Sequence, residues 1–371
     1  MNSPANSTFV VNRDDLHQCQ ILEQPLLRSE DLAEGEVLLR VDRFSFTANN
    51  ISYAALGKAF KYWDFFPAEP PWGQIPVWGF ADVCASKHPQ VAVGSRVYGY
   101  LPMACQLKVQ PDKVSSGGFM DGAPHRQALA KIYNQYQFTA TDPAYQPEHE
   151  ALQMLLRPLL TTAFLLDDFI AGSDYFGAQQ IILTSASSKT ALGLAFMLRH
   201  QREQRGEPLT LTGLTSAGNR AFVEGLGYYD QVVSYEDLEQ LDPDKASVSV
   251  DFAGNGAVLS RLHQHFQGQL KFSSLVGASH WDQRRGKTTL PGPKPELFFA
   301  PGYWEKAVQQ SSGQALMTRF AELWAPLRAS VDDWMTVTQV HGPEAVRQAY
   351  LDTLAGSIKP DQGLVLSLDN R

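Results

Sequence analysis

The chain has 371 residues, 44% of them apolar and 19% charged, with a net charge of −8. That length accommodates two domains with separate cores, and the acidic balance excludes a nucleic-acid partner, which needs a basic face. No apolar run approaches the roughly 18 residues of a membrane span and the N-terminus lacks the basic and apolar regions of a signal peptide, so a cytoplasmic protein without membrane association is expected.

The three cysteines, Cys19, Cys84 and Cys105, are widely spaced and form no C-x-x-C pair, which fits reduced thiols and argues against a structural zinc site. Residues 8–47 read as β-rich, with apolar and polar positions alternating from Leu39 to Phe46 as in a strand with one face on a core. Thr47 to Gly57 has the spacing of a short helix closed by glycine, and Asn49, Asn50 and Tyr53 cluster where the strand gives way to it. These polar groups either face a cleft or, for the asparagines, cap the helix.

The stretch from Phe60 to Pro76 is rich in aromatics and proline (Tyr62, Trp63, Phe65, Phe66, Pro67, Pro70, Pro71, Trp72) and cannot be regular structure. Its rings either pack as a satellite core or roof a pocket for an apolar or planar ligand. Two further alternating strands with glycine turns follow, at Pro76–Val83 and Val93–Tyr100, and together these short strands suggest a small barrel-like β-domain. Residues 115–150 break the rhythm and read as a surface insertion, with a joint at Ser115–Gly118 and helical spacing from Arg126 to Tyr133. His125 and Arg126 have no evident partner there and are expected to be solvated.

Helical patterning runs from Glu148 through Thr162 to Gly172. After it, the apolar run Ile181–Leu183 stops at Ser185-Ala-Ser-Ser-Lys-Thr190, and an amphipathic run carries on to Leu198. A buried strand, a tight turn and a helix N-terminus present backbone N–H groups and a partial positive charge to an anion. The dinucleotide fingerprint G-x-G-x-x-G is nevertheless reduced to Gly193, and a phosphate-binding P-loop would need glycine at Leu183 and Ser188. Strands and helices then alternate from Leu209 to Gly277, the pattern of a doubly wound parallel sheet whose ligand lies at the carboxyl ends of its strands. Nucleotide hydrolysis is not expected, because Asp251 is the one obvious strand-end carboxylate for a metal. At the end of the second strand stand Thr215 and Ser216, then Arg220, with no carboxylate. A missing negative charge beside a guanidinium suits a 2′-phosphate, hence NADP rather than NAD, unless Arg220 is an ordinary exposed helix arginine.

The order of these motifs resembles the medium-chain dehydrogenase/reductase superfamily, in particular its zinc-independent, quinone-oxidoreductase-like branch. The residues that carry the likeness are Gly35–Val41 with the Asn49–Gly57 loop, Val93–Val97, Val109–Val114, Leu160–Phe164, Ile181–Leu194, Thr215–Gly227, Val250–Gly254 and Gly268–Phe272. The glycine-poor turn, the 115–150 insertion and the Phe298–Gly302 segment resemble a poorly characterised subfamily of unknown function. The resemblance implies an α/β protein: a GroES-like β-barrel domain over residues 1–157 completed by 330–371, and a Rossmann domain over 158–329, with dimerisation expected.

Carried over by position, Thr162 faces the nicotinamide and Ser187, Ser188, Lys189 and Thr190 the pyrophosphate. Thr215, Ser216 and Arg220 meet the adenosine end, and Tyr53 with Asn49 lies near the substrate. Where zinc-dependent members place a cysteine this chain has Thr47-Ala48-Asn49, so no catalytic zinc is expected. The function implied is an NADPH-dependent reductase passing hydride to a polarised alkene or carbonyl of a small molecule. Because Ser188, Lys189 and Ala191 stand where the family has glycines, the alternative is a non-catalytic binding or regulatory protein that has lost the cofactor.

Overall fold

The structure, a computed structural model, describes residues 5–143, 145–206, 208–252, 254–277, 290–311 and 313–369; Ala253 of the Val250–Gly254 motif lies outside them. The chain divides into two compact units, Met1–Arg157 with Trp334–Arg371, and Pro158–Asp333. The first contains β1 (Ala5–Asn12), β2 (Cys19–Pro25), β3 (Val37–Phe46), α1 (Ala48–Ala55), β4 (Trp72–Gly73), β5 (Pro76–Ser86), β6 (Arg96–Pro102), β7 (Gln106–Val109), β8 (Pro111–Ser115), β9 (Gly118–Asp121) and β10 (Gln135–Phe138). Helix α2 (Glu150–Gly172) leads into the second unit, which alternates β11 (Gln180–Thr184), α3 (Lys189–Arg205), β12 (Thr210–Thr215), α4 (Ala217–Leu226), β13 (Gln231–Ser234), β14 (Ser247–Asp251), α5 (Gly256–Phe266), β15 (Leu270–Leu275), β16 (Glu296–Leu297), α6 (Ala300–Gln310) and α7 (Gly313–Asp332). The tail returns to the first unit as β17 (Thr336–His341), α8 (Pro343–Leu354) and β18 (Gln362–Ser367). No helix among the described residues is long and apolar enough to cross a membrane.

In the first unit a nine-stranded sheet runs β17-β18-β3-β5-β6-β10-β9-β8, with β7 also on β3, beside a three-stranded sheet β2-β1-β4. The tail belongs here because β18 pairs antiparallel with β3, Leu364 opposite Phe46. Tyr350 of α8 then packs its ring 5.0 Å from Phe9 and donates its hydroxyl to the Leu16 carbonyl at 2.6 Å. The aromatic stretch packs inward: Tyr62, Phe65 and Phe66 form one buried cluster with Tyr53, Tyr100, Leu129 and Tyr133.

The 115–150 segment departs from its expected character. It supplies β9 and β10 to the nine-stranded sheet, and Arg126, expected to be solvated, is 1% exposed. Its guanidinium pairs with Asp121 at 2.7 Å and lies over the rings of Phe65, Phe66 and Tyr136, partners that distance along the chain hides. His125 is exposed. The helix expected over Arg126–Tyr133 is two 3-10 turns. Arg126 Nη2 donates to the Tyr133 carbonyl and Asn134 Nδ2 to the Arg126 carbonyl, so side chains from within the loop satisfy carbonyls that a helix would have satisfied with backbone amides.

The second unit holds a six-stranded sheet in the order β13-β12-β11-β14-β15-β16, every pair parallel. This is the doubly wound order of the dinucleotide-binding fold, reversing direction between β11 and β14. Both faces are covered, so β11 and β14 are buried along their whole length; β11 reads as the apolar run Ile181–Leu183, while β14 alternates Val248 and Val250 with small serines. Pro158 inside α2 removes the amide that would serve the Met154 carbonyl, and Ser45 Oγ donates to that carbonyl at 2.7 Å instead.

The buried His263 of α5 carries a pH dependence. Nδ1 faces the Pro291 carbonyl at 2.9 Å and must donate to it, so Nε2 accepts from Ser273 Oγ at 3.0 Å. Burial lowers its pKa. A depressed histidine pKa stabilises the fold fully above the unfolded value near 6.5, and that contribution is lost as pH falls toward the folded pKa. The melting temperature should therefore fall on acidification below about pH 6.5, and His263→Gln should flatten that slope; an unchanged slope in the variant would assign the acid sensitivity elsewhere.

Candidate functional site

The turn after β11 begins with Ser185 in the left-handed region at φ 50°, where the Tyr235 hydroxyl accepts its amide at 3.0 Å. The next amide, Ala186, donates to the Leu214 carbonyl of β12, and the Tyr229 hydroxyl closes on the Ala186 carbonyl. That close approach needs Gly213 on β12: a Cβ there would lie 2.9 Å from Ala186 Cβ. Gly193, one turn into α3, has a packing role, since a Cβ would meet Leu160 of α2 at 2.4 Å. Ser188, in a fingerprint glycine position, has φ −71°, which any residue adopts. It is the N-cap of α3, and its own hydroxyl accepts the Ala191 amide at 3.4 Å.

Ser187 Oγ accepts from Thr215 Oγ1 at 3.5 Å and Asn219 Nδ2 at 3.1 Å. With both lone pairs taken, its proton is left to donate. Among the described residues the amides of Ser187 and Thr190 have no acceptor either. Two amides, a hydroxyl proton and the helix N-terminus thus remain for an anion. These donors have the chemistry that the diphosphate of a dinucleotide needs. Lys189 is the first residue of α3.

Thr215 is buried at the carboxyl end of β12, and Ser216 is the exposed N-cap of α4, its carbonyl accepting the Asn219 amide. Arg220 is half-exposed and bonded to Glu224 at 2.8 Å, so a phosphate must compete with that carboxylate for it. Thr162 is half-buried on α2, its hydroxyl donating to the Pro158 carbonyl. Asp251, at the end of β14, accepts from Thr184 Oγ1 at 2.5 Å across the point where strand order reverses.

The first unit holds the other candidate group. Thr47 and Asn50 cap α1 reciprocally, and Asn50 Nδ2 also donates to the Pro76 carbonyl, so Asn50 has a structural role. Asn49 and Tyr53 sit one helical turn apart on α1. Tyr53 is buried, which raises its pKa and keeps the phenol neutral, while the side chains of Trp78, Asn49 and Tyr133 around the hydroxyl act in the opposite sense. The fold therefore brings Asn49 to Tyr53, and Ser187 to Thr215. Trp78, Tyr133, Asn219 and Tyr235 are contacts that sequence reasoning missed, each set by tertiary packing rather than by spacing.

A GroES-like β-unit completed by its tail and a six-stranded Rossmann sheet define the fold of the medium-chain dehydrogenase/reductases. CurA of Vibrio vulnificus in complex with NADPH superposes with a TM-score of 0.60 at 14% identity, covering 98% of this chain and 99% of that one. A structure described as a putative NADPH:quinone reductase of Mesorhizobium loti gives 0.58 at 12% identity, covering 99% of each chain. CurK enoyl reductase gives 0.51 at 13%, with 99% of each chain covered. No curated protein matches the chain significantly in sequence. The chain belongs to the family described as protein of unknown function (DUF2855), which it matches over residues 44–359.

Proposed function

We propose that this chain is a cytoplasmic, zinc-independent NADPH-dependent reductase that passes hydride to a polarised alkene or carbonyl of a small apolar or planar molecule. In this reading residues 158–329 bind the dinucleotide, and residues 1–157 with 330–371 carry the catalytic groups. The observation that carries it is the Ser187 hydroxyl, held by Thr215 and Asn219 with its proton free, at the first turn of a sheet in dinucleotide-binding order. The NADPH bound in the similarly folded CurA supports the cofactor assignment.

Ser187, Ser188, Lys189 and Thr190 would hold the diphosphate, Thr215, Ser216 and Arg220 the adenosine end, and Thr162 the nicotinamide side. The dinucleotide supplies the hydride when bound. The protein's part is to stabilise the oxygen on which charge develops, and a neutral phenol at Tyr53 suits that role, oriented by Asn49. Tyr53→Phe should lower kcat/KM by about 100-fold with NADPH binding unchanged, read as NADPH consumption in the presence of an alkyl vinyl ketone. The primary test is titration of the protein with NADPH and with NADH, followed by cofactor fluorescence and melting temperature. Silence with both would leave a non-catalytic binding protein on this fold, whereas a stronger response to NADH would remove only the NADP preference.

A further inference from the structure

Between α2 and β11 the backbone winds in the left-handed sense. Asp174, Tyr175 and Phe176 have φ of 49°, 49° and 56°, and Gly177 follows at 69°. A single left-handed residue other than glycine is uncommon, and three in succession make a strained turn that its surroundings must hold. Two contacts from other elements do so. The ring of Phe176 lies flat on Phe272 of β15, the centroids 4.2 Å apart, and the Tyr175 hydroxyl accepts from Arg205 Nη1 of α3 at 2.8 Å.

Arg205 has a second commitment. Its Nη2 donates to Asp167 Oδ2 of α2 at 3.2 Å, and Gln201 Nε2 of α3 donates to the same oxygen. Asp167 is 0% exposed, and its other oxygen, Oδ1, has no hydrogen-bond partner among the described residues. A buried carboxylate with one oxygen unsatisfied is the costly form of the group, and a proton would sit on that oxygen. The other charged groups facing it are Asp168 on α2, which disfavours the ionised form, and Arg319 on α7, which favours it and is itself paired with Asp168. Burial pushes the Asp167 carboxyl up to about 6, with Arg205 acting against it. We propose that Asp167, Arg205 and the Asp174–Gly177 turn form a latch worked by one proton: the ionised carboxylate holds Arg205 on Tyr175 and keeps the turn left-handed, and the protonated carboxyl releases it. Once the counter-ion is neutral the guanidinium turns to water, which its side chain, 27% exposed, already reaches. Nothing in the latch depends on the reductase reading.

The linked stability has the opposite sign to that of His263. A raised carboxyl pKa stabilises the fold fully below the unfolded value near 3.9, and that contribution is lost as pH rises through about 6. Melting temperature would mix the two groups, so the turn has to be read locally. The experiment is hydrogen–deuterium exchange of the whole chain at a series of pH values, corrected for intrinsic rates and followed on peptides spanning the Asp174–Gly177 turn. Protection there should fall by about tenfold as pH drops through about 6. The turn at Ser185, whose left-handed residue is held by the Tyr235 hydroxyl instead, should keep its protection. Asp167→Asn, which cannot ionise, should show the low-pH protection throughout. Tyr175→Phe, which keeps the ring and removes the hydroxyl that Arg205 holds, should do the same, and it carries the test if Asp167→Asn does not fold. Protection independent of pH in the wild type, an equal loss at Ser185, or a pH response retained in either variant would each overturn the proposal.

Discussion

Asp121→Ala should destabilise the first unit by about 3–5 kcal/mol. The carboxylate is the counter-ion of a buried cation: Arg126 Nη1 donates to Asp121 Oδ2 at 2.7 Å and to the Tyr136 hydroxyl at 3.0 Å, and Nη2 to the Tyr133 carbonyl at 3.2 Å. Removing one partner of such a pair leaves the other charge desolvated and uncompensated, which costs far more than the pair itself contributes. Asp121 Oδ1 also accepts the backbone amides of Gln110 and Ala123, each at 3.1 Å, so alanine orphans two further donors between β9 and the loop. At about 2–4 °C per kcal/mol for a unit of this size, the melting temperature should fall by about 10 °C. Asp121→Asn keeps an acceptor for the two amides and should lose less. A drop of under about 2 °C for alanine would show that water or a neighbouring acceptor takes over the guanidinium.

The same pair marks where the chain was illegible. Arg126 looked solvated because its partners lie on β9, on β10 and in the Phe65-Phe66 loop, and no local pattern connects a loop arginine to rings 60 residues away. The Rossmann unit, by contrast, was readable, because short strands bounded by turn residues alternate with helical spacing along it, most clearly at the apolar run Ile181–Leu183 that α3 follows. The β-unit was readable from alternation, and the tail's return to it was implied by the resemblance alone. The turn was harder. Its fingerprint glycine is replaced at Ser188, which has an ordinary backbone and turns its hydroxyl to its own helix. The left-handed residue is Ser185. The group best placed for an anion, Ser187, is oriented by Asn219 from the next helix, a contact set by tertiary packing rather than spacing. In α1 the adjacent asparagines looked equivalent, but the third residue of a helix is the one that reaches back to the cap, which assigns Asn50 to structure and leaves Asn49 beside Tyr53.

Ser187→Asp should abolish binding of NADPH and NADH alike, a loss on the order of 100-fold or more. A carboxylate at this position would itself accept from Thr215 Oγ1 and Asn219 Nδ2, the donors that now hold the serine oxygen, and from the free amides of the turn. It would thus fill the anion site and repel a diphosphate at the same helix N-terminus. Both cofactors share the diphosphate, so both should be lost. Ser187→Ala removes only the donated proton and should weaken each by about 3- to 10-fold. Arg220→Glu acts at the other end. It should weaken NADPH on the order of tenfold and leave NADH nearly unchanged, because the 2′-phosphate is the one group that distinguishes them. The contrast separates the two parts of the site: loss of both cofactors locates the diphosphate at the turn, and selective loss locates the 2′-phosphate at α4. Fluorescence titration of the three variants reads it directly, with melting temperature confirming that each is folded. Wild-type affinity in Ser187→Asp would mean that no phosphate sits at this turn, and the reductase reading would fall with it.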